Sequence, residues 1–227
     1  MTERDLSRWT PRPRPSADIL EGTWCRLERL DPARHGDSLF SASAASGADE
    51  RFRYLFEPPP ATRADFDAWL QKASGTEDPR FYAVIDPQTG RAEGRQALMR
   101  ITPEHGVIEI GSILWGPKIA RTRIATEALY LFARHVFDAL GYRRFEWKCD
   151  SKNAPSRRAA LRFGFAFEGI FRSHMVVKGK NRDTAWFAMI DADWPRIKAA
   201  MERWLDPTNF DADGRQRERL DVSPPGG

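Results

Sequence analysis

The chain has 227 residues and is 41% hydrophobic and 30% charged, a composition typical of a globular protein. Its 36 Lys and Arg residues nearly balance 32 Asp and Glu residues, so charge gives no reason to predict a nucleic-acid partner. Cys25 and Cys149 lie far apart, which argues against a disulfide scaffold and a zinc site. Because the N-terminus lacks an apolar signal-peptide core and no apolar run approaches the ~18 residues of a membrane span, we expect a cytoplasmic protein without a membrane partner or bound metal.

Arginine and proline dominate residues 1–20 and predict an extended arm. The segment 23–30 alternates in polarity as a half-buried strand does. Asp31 and Pro32 then provide an N-cap and a first-turn proline, which predicts a helix to about Ser43.

An aromatic, proline-rich stretch at 52–60 predicts a loop before the second helix. Thr62 and Asp65 resemble a capping box at the start of that helix, which should run to about Lys72. Three strands linked by hairpin turns are predicted next, at 81–85, 94–102 and 107–115.

The most regular helical pattern of the chain follows a short basic loop. Apolar residues recur at helical spacing from Ala125 to Leu140, and Gly141 is a natural stop. The elements predicted after it are a strand at 144–150, a short helix at 156–163, a hairpin of strands at 167–177 and 184–190, and a final helix at 193–205. The polar tail 206–227 is predicted to be disordered. The remainder, 21–205, is predicted to form one mixed α/β domain around an antiparallel meander.

Basic residues surround the start of the long helix. Lys118, Arg121 and Arg123 lie where unpaired backbone N–H groups and the helix dipole attract an anion. Because arginine at a helix N-terminus opposes the dipole, this placement favours a bound phosphate or pyrophosphate, with a solvated helix start as the alternative. Gly111, inside a strand pattern, indicates a β-bulge, a close backbone approach to a ligand or a tolerated glycine.

A series of short motifs surrounds this loop. In chain order they are Glu109-Ile110-Gly111, Pro117, Ala125-Thr126-Glu127-Ala128, Leu140-Gly141, Asn153 with Ser156, Gly164-Phe165, Glu168-Gly169, Asp183 and Trp194. The series resembles the GCN5-related N-acetyltransferase (GNAT) superfamily, in particular the RimJ/RimL-type branch that acetylates ribosomal-protein N-termini. The resemblance covers residues 20–205.

The acyl-CoA loop departs from the family pattern. The family's Gln/Arg-x-x-Gly-x-Gly/Ala motif corresponds here to Ala120, Arg121, Thr122, Arg123, Ile124 and Ala125. Only the last residue of the motif is kept, and a register one residue later restores Arg121 at the first position but loses the small residue. A missing glycine raises the steric cost of close backbone approach, and a phosphate contact from Arg123 would compensate.

The resemblance implies a GNAT fold, in which a mixed, largely antiparallel sheet of about seven strands is flanked by helices and splayed between 107–115 and 144–150. Acetyl-CoA would bind in the splay as co-substrate, and a strand N–H near Gly111 would polarise its thioester carbonyl. The residues implied to bind coenzyme A are Ile113, Leu114, Trp115, Arg121, Thr122, Arg123, Ile124, Ala125, Thr126, Asn153 and Arg157. For Arg157, a solvated helix face is an equally good explanation.

Direct attack of an amine on the thioester needs a base for the ammonium proton and an acid for the leaving thiolate. Glu109 is the first candidate for the base, because a carboxylate on an apolar strand is costly unless it is used or paired, and a salt bridge is the alternative. His174 titrates in the useful range, but a structural or exposed histidine is the simpler explanation. Ser156 is the candidate acid in place of the tyrosine of many relatives, and it also fits a plain N-cap. Glu127 and Asp183 are lesser candidates.

The function implied is that of an acetyl-CoA-dependent N-acetyltransferase acting on a primary amine, either a protein N-terminus or a small amine. A non-catalytic acyl-CoA-binding module of the same fold is the alternative from a different class. The exposed end strands and the arm are compatible with a homodimer. Five aromatic residues are candidates for the wall of an acceptor pocket, although core packing explains most of them more simply: Phe52, Tyr54, Phe56, Phe66 and Trp69.

Overall fold

The computed structural model describes residues 5–223, so residues 1–4 of the predicted arm and 224–227 of the predicted tail lie outside the described part. Within it, eight strands form one sheet: β1 Ile19–Glu21, β2 Arg26–Arg29, β3 Arg80–Asp86, β4 Arg91–Thr102, β5 Val107–Trp115, β6 Arg144–Asp150, β7 Ala166–Val177 and β8 Lys180–Ile190. The six α-helices of the same residues are α1 Pro32–Ala44, α2 Ala48–Phe52, α3 Arg63–Ser74, α4 Arg123–Arg134, α5 Ala154–Arg162 and α6 Trp194–Leu205.

The sheet is antiparallel except at its centre. Its strands lie in the order β1-β2-β3-β4-β5-β6-β8-β7, and only β5 and β6 are parallel neighbours within the described sheet. Their pairing runs from Val107 opposite Arg144 to Ile110 opposite Trp147 and then ends. Beyond that point β5 stays with β4 and β6 stays with β8, so the two strands part. This confirms the predicted splayed α/β fold, with β1 as an additional, eighth strand.

Local capping explains where two of the helices begin. Asp31 accepts hydrogen bonds from the backbone N–H groups of Ala33 and Arg34 at the start of α1. Thr62 and Asp65 form the reciprocal capping box at the start of α3. Both starts confirm the sequence predictions. None of the helices in residues 5–223 has the length and apolar character needed to cross a membrane.

The loop between β1 and β2 is held by the buried side chain of Glu127. Its carboxylate accepts the backbone N–H groups of Thr23 at 2.8 Å, Trp24 at 2.5 Å and Cys25 at 2.6 Å. These N–H groups are therefore not available to a strand ladder, which is why the predicted strand 23–30 is confined to β2. The same contacts give Glu127 a structural role in place of the lesser catalytic role considered from the sequence.

Helix α4 covers one face of the sheet where β5 and β6 still pair. Leu129 and Phe132 of its apolar stripe belong to the main core together with Phe145 and Trp147 of β6. A π-helical turn continues the helix, and Gly141, at a φ of 69°, provides the predicted stop. The α4 N-terminus is thereby fixed beside the point where the two strands separate.

The described part of the C-terminal tail is folded onto the domain, in contrast to the predicted disorder. Phe210 is buried, with its ring centroid 5.7 Å from that of Trp24 and 5.2 Å from that of Trp204. Asp206 and Asp211 accept backbone N–H groups of the turns on either side of this ring. A polar segment is therefore ordered by one aromatic anchor and by local aspartate turns.

Replacing Glu127 with alanine would leave three backbone N–H groups without their acceptor. Each unsatisfied buried group costs about 1–3 kcal/mol, and part of this is recovered by rearrangement of the loop, so we expect a loss of about 3 kcal/mol in the free energy of unfolding. Urea denaturation followed by tryptophan fluorescence measures this loss. The control is Glu50→Ala on exposed α2, which should change stability by less than about 0.5 kcal/mol. Equal stability of the two variants would contradict the role of Glu127.

Candidate functional site

The parting of β5 and β6 opens a cleft of about 1100 Å³. It extends from the start of α4, here called the near end, to the loop after α2, here called the far end. β5, β6, the loop before α4, and the first turns of α4 and α5 form its walls. A cleft of this size accommodates a large cofactor.

The first turn of α4 presents backbone N–H groups at the near end. Thr122 is the N-cap, and its Oγ1 accepts the N–H of Ile124 at 3.2 Å. The N–H groups of Arg121, Arg123 and Ala125 have no hydrogen-bond acceptor within residues 5–223. Free N–H groups at the positive end of a helix dipole bind phosphate groups well.

The loop before α4 keeps a glycine-like conformation without a glycine. Arg121 has a φ of 67°, in the left-handed region that favours glycine. For a residue with a side chain, this conformation costs about 1 kcal/mol. Arg123, which occupies the position of the family's glycine, is instead the first residue of α4 in the described structure, so the left-handed turn of this loop lies two residues earlier, at Arg121.

Arginine side chains converge on the near end from three parts of the chain. Arg123 is stacked between Trp24 and Phe210, with its Cζ 3.7 Å and 5.1 Å from the two ring centroids. Arg162, in the last turn of α5, donates to Thr126 Oγ1 at 3.2 Å. Sequence reasoning missed Arg162 because no local pattern links the end of α5 to the start of α4.

Two further basic residues complete the near end. Arg215, in the tail, lines the cleft beside Arg123 and was also missed, since the tail was predicted to be disordered. Lys118 is ion-paired with Glu93 at 3.0 Å, so its charge is already balanced by the protein.

Strand β5 has a bulge at Ser112, one residue beyond the predicted position at Gly111. Ser112 has a φ of 49°, and the register with β4 shifts at this point. Arg95 Nη1 donates to the Ser112 carbonyl at 2.7 Å, and the same buried guanidinium is ion-paired with Glu57. The bulge is therefore fixed by a buried cation that joins β4, β5 and the loop after α2.

The edge of β5 after the bulge is open to the cleft. Ile113, Leu114 and Trp115 line the cleft at positions where β6 no longer pairs with β5. A Cβ on Gly94 would lie 2.7 Å from the Leu114 carbonyl, so the glycine allows β4 to support this edge at close range. The unpaired backbone groups of such an edge can bind an extended chain that carries amides.

Glu109 lies on the cleft wall and is paired with two cations. It is 3% exposed, and Arg100 Nη1 contacts its two oxygens at 2.8 Å and 2.7 Å. Lys148 Nζ lies 3.0 Å from Oε2. The salt bridge considered from the sequence is therefore present. Of about four acceptor positions on a carboxylate, three are occupied, which leaves one for a water or a ligand.

Ser156 lies in the first turn of α5 and lines the cleft. Trp147 Nε1 donates to Ser156 Oγ at 2.9 Å, so the hydroxyl proton remains available as a donor. The N-cap of α5 is Asn153, whose Oδ1 accepts the Ser156 N–H at 3.2 Å, and this corrects the assignment of Ser156 as a plain cap. Asn153 also lines the cleft, and its contact with a cofactor stays a prediction.

Cys149 of β6 lines the same part of the cleft. Burial raises the pKa of its thiol above the ordinary value, with smaller opposing effects from Ser156 and nearby arginines. The side chain is therefore a thiol at neutral pH and a poor nucleophile.

Two predicted site residues lie outside the cleft walls. His174 is on β7, with Nδ1 2.9 Å from Thr184 Oγ1 and its ring beside Phe171. Arg157 donates to the Ser151 carbonyl at 3.3 Å. The Arg157 Cζ also lies 5.8 Å from the ring centroid of Phe167 on β7. Because neither side chain lines the cleft, these placements do not support the roles assigned from the sequence.

Asp183, a lesser candidate, lies in strand β8 of the β7–β8 hairpin, opposite the irregular part of β7 between Phe171 and Met175. It accepts the backbone N–H of Ser173 at 2.7 Å and the Asn181 Nδ2 at 2.9 Å, and these bonds lower the pKa of the Asp183 carboxyl. Its role is to fix the hairpin.

The far end of the cleft is lined by Tyr54, Phe56, Met99, Arg100, Lys148 and Arg182. Tyr54 is anchored by its hydroxyl, which donates to the Lys152 carbonyl at 3.2 Å. Of the five aromatic residues considered for this wall, only Tyr54 and Phe56 reach the cleft in the described structure, whereas the others pack in the interior.

Comparison with known proteins identifies the class of this fold and site. A family model for the acetyltransferase (GNAT) domain matches residues 26–166. A GCN5-related N-acetyltransferase from Brucella melitensis is 60% identical, with a TM-score of 0.93 over 95% of this chain and 97% of that chain. A GNAT-family acetyltransferase from Chromobacterium violaceum is 38% identical, with a TM-score of 0.79 over 86% and 97% of the two chains. No curated protein matches the chain.

The protein is therefore an acyl-CoA-dependent N-acetyltransferase by class, and the chain belongs to the GNAT family. Enzymes of this family transfer an acetyl group from acetyl-CoA to an amine acceptor. RimL, a ribosomal L7/L12 α-N-protein acetyltransferase in complex with coenzyme A, is 20% identical with a TM-score of 0.64 over 77% and 99% of the two chains. That similarity extends to the fold alone, so membership of the RimJ/RimL-type branch stays a prediction.

Replacing Glu57 with alanine would leave the buried Arg95 guanidinium without its carboxylate. Removing one partner of a buried ion pair costs about 3–5 kcal/mol, so we expect the free energy of unfolding to fall by about 3 kcal/mol. Urea denaturation measures the change. Asp67→Ala, which breaks an exposed pair with Arg63, is the matched control and should cost less than about 1 kcal/mol. If the two variants lose the same stability, Glu57 does not hold Arg95 at the bulge.

Proposed function

We propose that the protein transfers an acetyl group from acetyl-CoA to a primary amine by direct attack, with both substrates bound in the cleft. The observation that carries this proposal is the meeting, in one cleft, of an unpaired β5 edge and a helix start with free N–H groups. A phosphate-bearing chain with amide groups fits that combination.

Coenzyme A fits the near end of the cleft by charge and by hydrogen-bonding pattern. The N–H groups of Arg121, Arg123 and Ala125, with the side chains of Arg123 and Arg162, would bind its pyrophosphate. The β5 edge at 113–115 and the side-chain amide of Asn153 would bind its pantetheine amides.

The reacting centre would lie beside the bulge of β5. When bound, acetyl-CoA supplies an activated acyl group on its thioester. A backbone N–H at Ser112 or Ile113, turned out of the sheet by the bulge, would polarise the carbonyl oxygen of that group. Because Arg95 fixes the Ser112 carbonyl, the donor is held in place before the substrates bind.

Two side chains would assist the proton movements of this reaction. The remaining acceptor position of Glu109 would take the ammonium proton of the amine, directly or through a water. Ser156 would donate a hydrogen bond to the departing sulfur, since its oxygen already accepts one from Trp147. The thiolate would then take the second proton that the amine nitrogen loses as the C–S bond breaks and the amide forms. The protonated thiol of Cys149 favours direct transfer over an acyl-cysteine route.

The acceptor is either a protein N-terminus or a small amine. The named activity of RimL, an α-N-protein acetyltransferase of similar fold, is consistent with the first. A cytoplasmic location and a homodimer also remain predictions. The homodimer is consistent with the exposed apolar side chains Phe171 and Val176 on edge strand β7.

Arg123→Glu would place a negative charge at the proposed pyrophosphate site and remove the stacked guanidinium. We expect the dissociation constant of acetyl-CoA to rise about 30- to 100-fold, because a charge-assisted hydrogen bond contributes about 1.5–3 kcal/mol. Calorimetric titration measures the constant, and the effect should weaken as salt is added. Arg203→Glu, an exposed arginine on α6, is the control and should bind as the native protein does. An unchanged affinity for Arg123→Glu would remove Arg123 from the site.

Ser156→Ala and Glu109→Gln should lower kcat with an amine acceptor and leave acetyl-CoA binding within about threefold. General acid–base groups contribute about 10²–10⁴-fold, and we expect at least 10²-fold for Glu109→Gln and less for Ser156→Ala, since water can replace a hydroxyl. Release of the free thiol of coenzyme A measures the rate. His174→Gln is the control and should keep its rate, because that ring lies outside the cleft walls. Binding of acetyl-CoA without thiol release for any amine would favour the acyl-CoA-binding module instead.

A further inference from the structure

Arg182 of β8 is a buried cation at the far end of the cleft. It is 8% exposed, and its Nε is buried without a hydrogen-bond partner. Within residues 5–223, no carboxylate oxygen lies within 4.0 Å of its guanidinium. Asp150 acts on it only at longer range, and the ring of Phe56 lies 5.2 Å from its Cζ.

The other cations of the far end already have acceptors. Arg100 and Lys148 are both paired with Glu109. Arg51 donates to backbone carbonyls at the end of α1, including that of Ala45. Arg51 has no carboxylate partner either, but its guanidinium is satisfied in part by these carbonyls. Within residues 5–223, Arg182 is therefore the cation of this group whose guanidinium has neither a carboxylate nor a carbonyl acceptor.

An unpaired charge in such a place is unfavourable for the protein alone. Burial of a guanidinium without a partner costs several kcal/mol, and burial lowers the pKa of Arg182 without neutralising it near pH 7. A planar guanidinium that opens into a cleft is well suited to binding a carboxylate through two hydrogen bonds.

Arg182 lies near Glu109, the proposed base for the reacting amine. Arg182 and Glu109 line the same end of the cleft and are close enough to interact electrostatically. An acceptor whose amine lies at Glu109 would place a neighbouring acidic group near Arg182. Tyr54 and Phe56 form the wall above that position.

We propose that Arg182 binds a carboxylate on the acceptor, so that the substrate class is an amine with a carboxylate close to it. This inference rests on the proposed acetyltransferase function. Such a carboxylate has two sources, the α-carboxylate of a free amino acid and the side chain of an acidic residue at a peptide N-terminus. Both present the same group at a short distance from the amine.

The test compares matched acceptors by thiol release from acetyl-CoA. One arm uses free amino acids and their carboxamides, and the other uses C-terminally amidated peptides that begin with aspartate or glutamate against those that begin with asparagine or glutamine. In at least one arm, we expect the native protein to have a kcat/KM at least 10-fold higher for the acceptor with the carboxylate than for its amide counterpart. One charge-assisted hydrogen-bonded pair contributes a difference of about this size. The arm that shows the preference identifies the source.

Arg182→Gln should lower kcat/KM for the carboxylate acceptor about 10- to 100-fold and leave that for its amide partner within about threefold. The control is Arg172→Gln on β7 of the same hairpin, outside the cleft walls, which should keep the preference. An unchanged dissociation constant for acetyl-CoA shows that the Arg182 variant is folded.

Two results would overturn the inference while the acetyltransferase function stands. They are equal rates on acid and amide acceptors with the native protein, and an equal loss on both acceptors in Arg182→Gln. Absence of thiol release with every amine, despite binding of acetyl-CoA, would instead overturn the proposed function and the inference with it.

Discussion

The parting of β5 and β6 beyond Ile110 and Trp147 is the constraint on which the site depends. Two parallel strands that stop pairing expose backbone groups, and these need either solvent or a ligand. Here the separation is held by the Ser112 bulge, whose carbonyl is bound by the buried Arg95. Since Arg95 is also paired with Glu57, the loop over the far end is tied to the same point. The shape of the cleft is therefore a property of the folded chain before any ligand binds.

The near and far ends of the cleft differ in the charged groups that line them. At the near end, free N–H groups of α4 and the stacked side chain of Arg123 provide positive potential for phosphates. At the far end, Arg100 and Lys148 balance Glu109, while Arg182 has no acid in contact within the described residues. A phosphate-bearing cofactor at one end and a separate carboxylate-bearing amine at the other match this distribution.

Local signals in the sequence were sufficient for most of the fold. Asp31 with Pro32, and Thr62 with Asp65, predicted helix starts because a cap is decided by residues within one turn. The strand at 144–150 was predicted with the bounds of β6, because strict alternation persists along it. The resemblance to the GNAT superfamily located the splay and the loop before α4.

Contacts between distant parts of the chain could not be predicted in the same way. Glu127 holds a loop 102 to 104 positions earlier in the chain, so the strand predicted at 23–30 began too early. Arg162 reaches Thr126 only because α5 packs beside the start of α4, and Phe210 orders a tail whose composition is polar. His174 and Arg157 had suitable chemistry, but strand direction and helix facing placed them outside the cleft walls.

The most direct test of the account is amide hydrogen exchange with and without desulfo-CoA, which binds without an acyl group to transfer. If coenzyme A occupies the splay, the N–H groups of 111–115 and 121–125 should exchange more slowly in its presence, with little change on β1 to β3. Protection confined to another surface, or no protection at saturating ligand, would contradict the assignment of the β5–β6 cleft as the cofactor site.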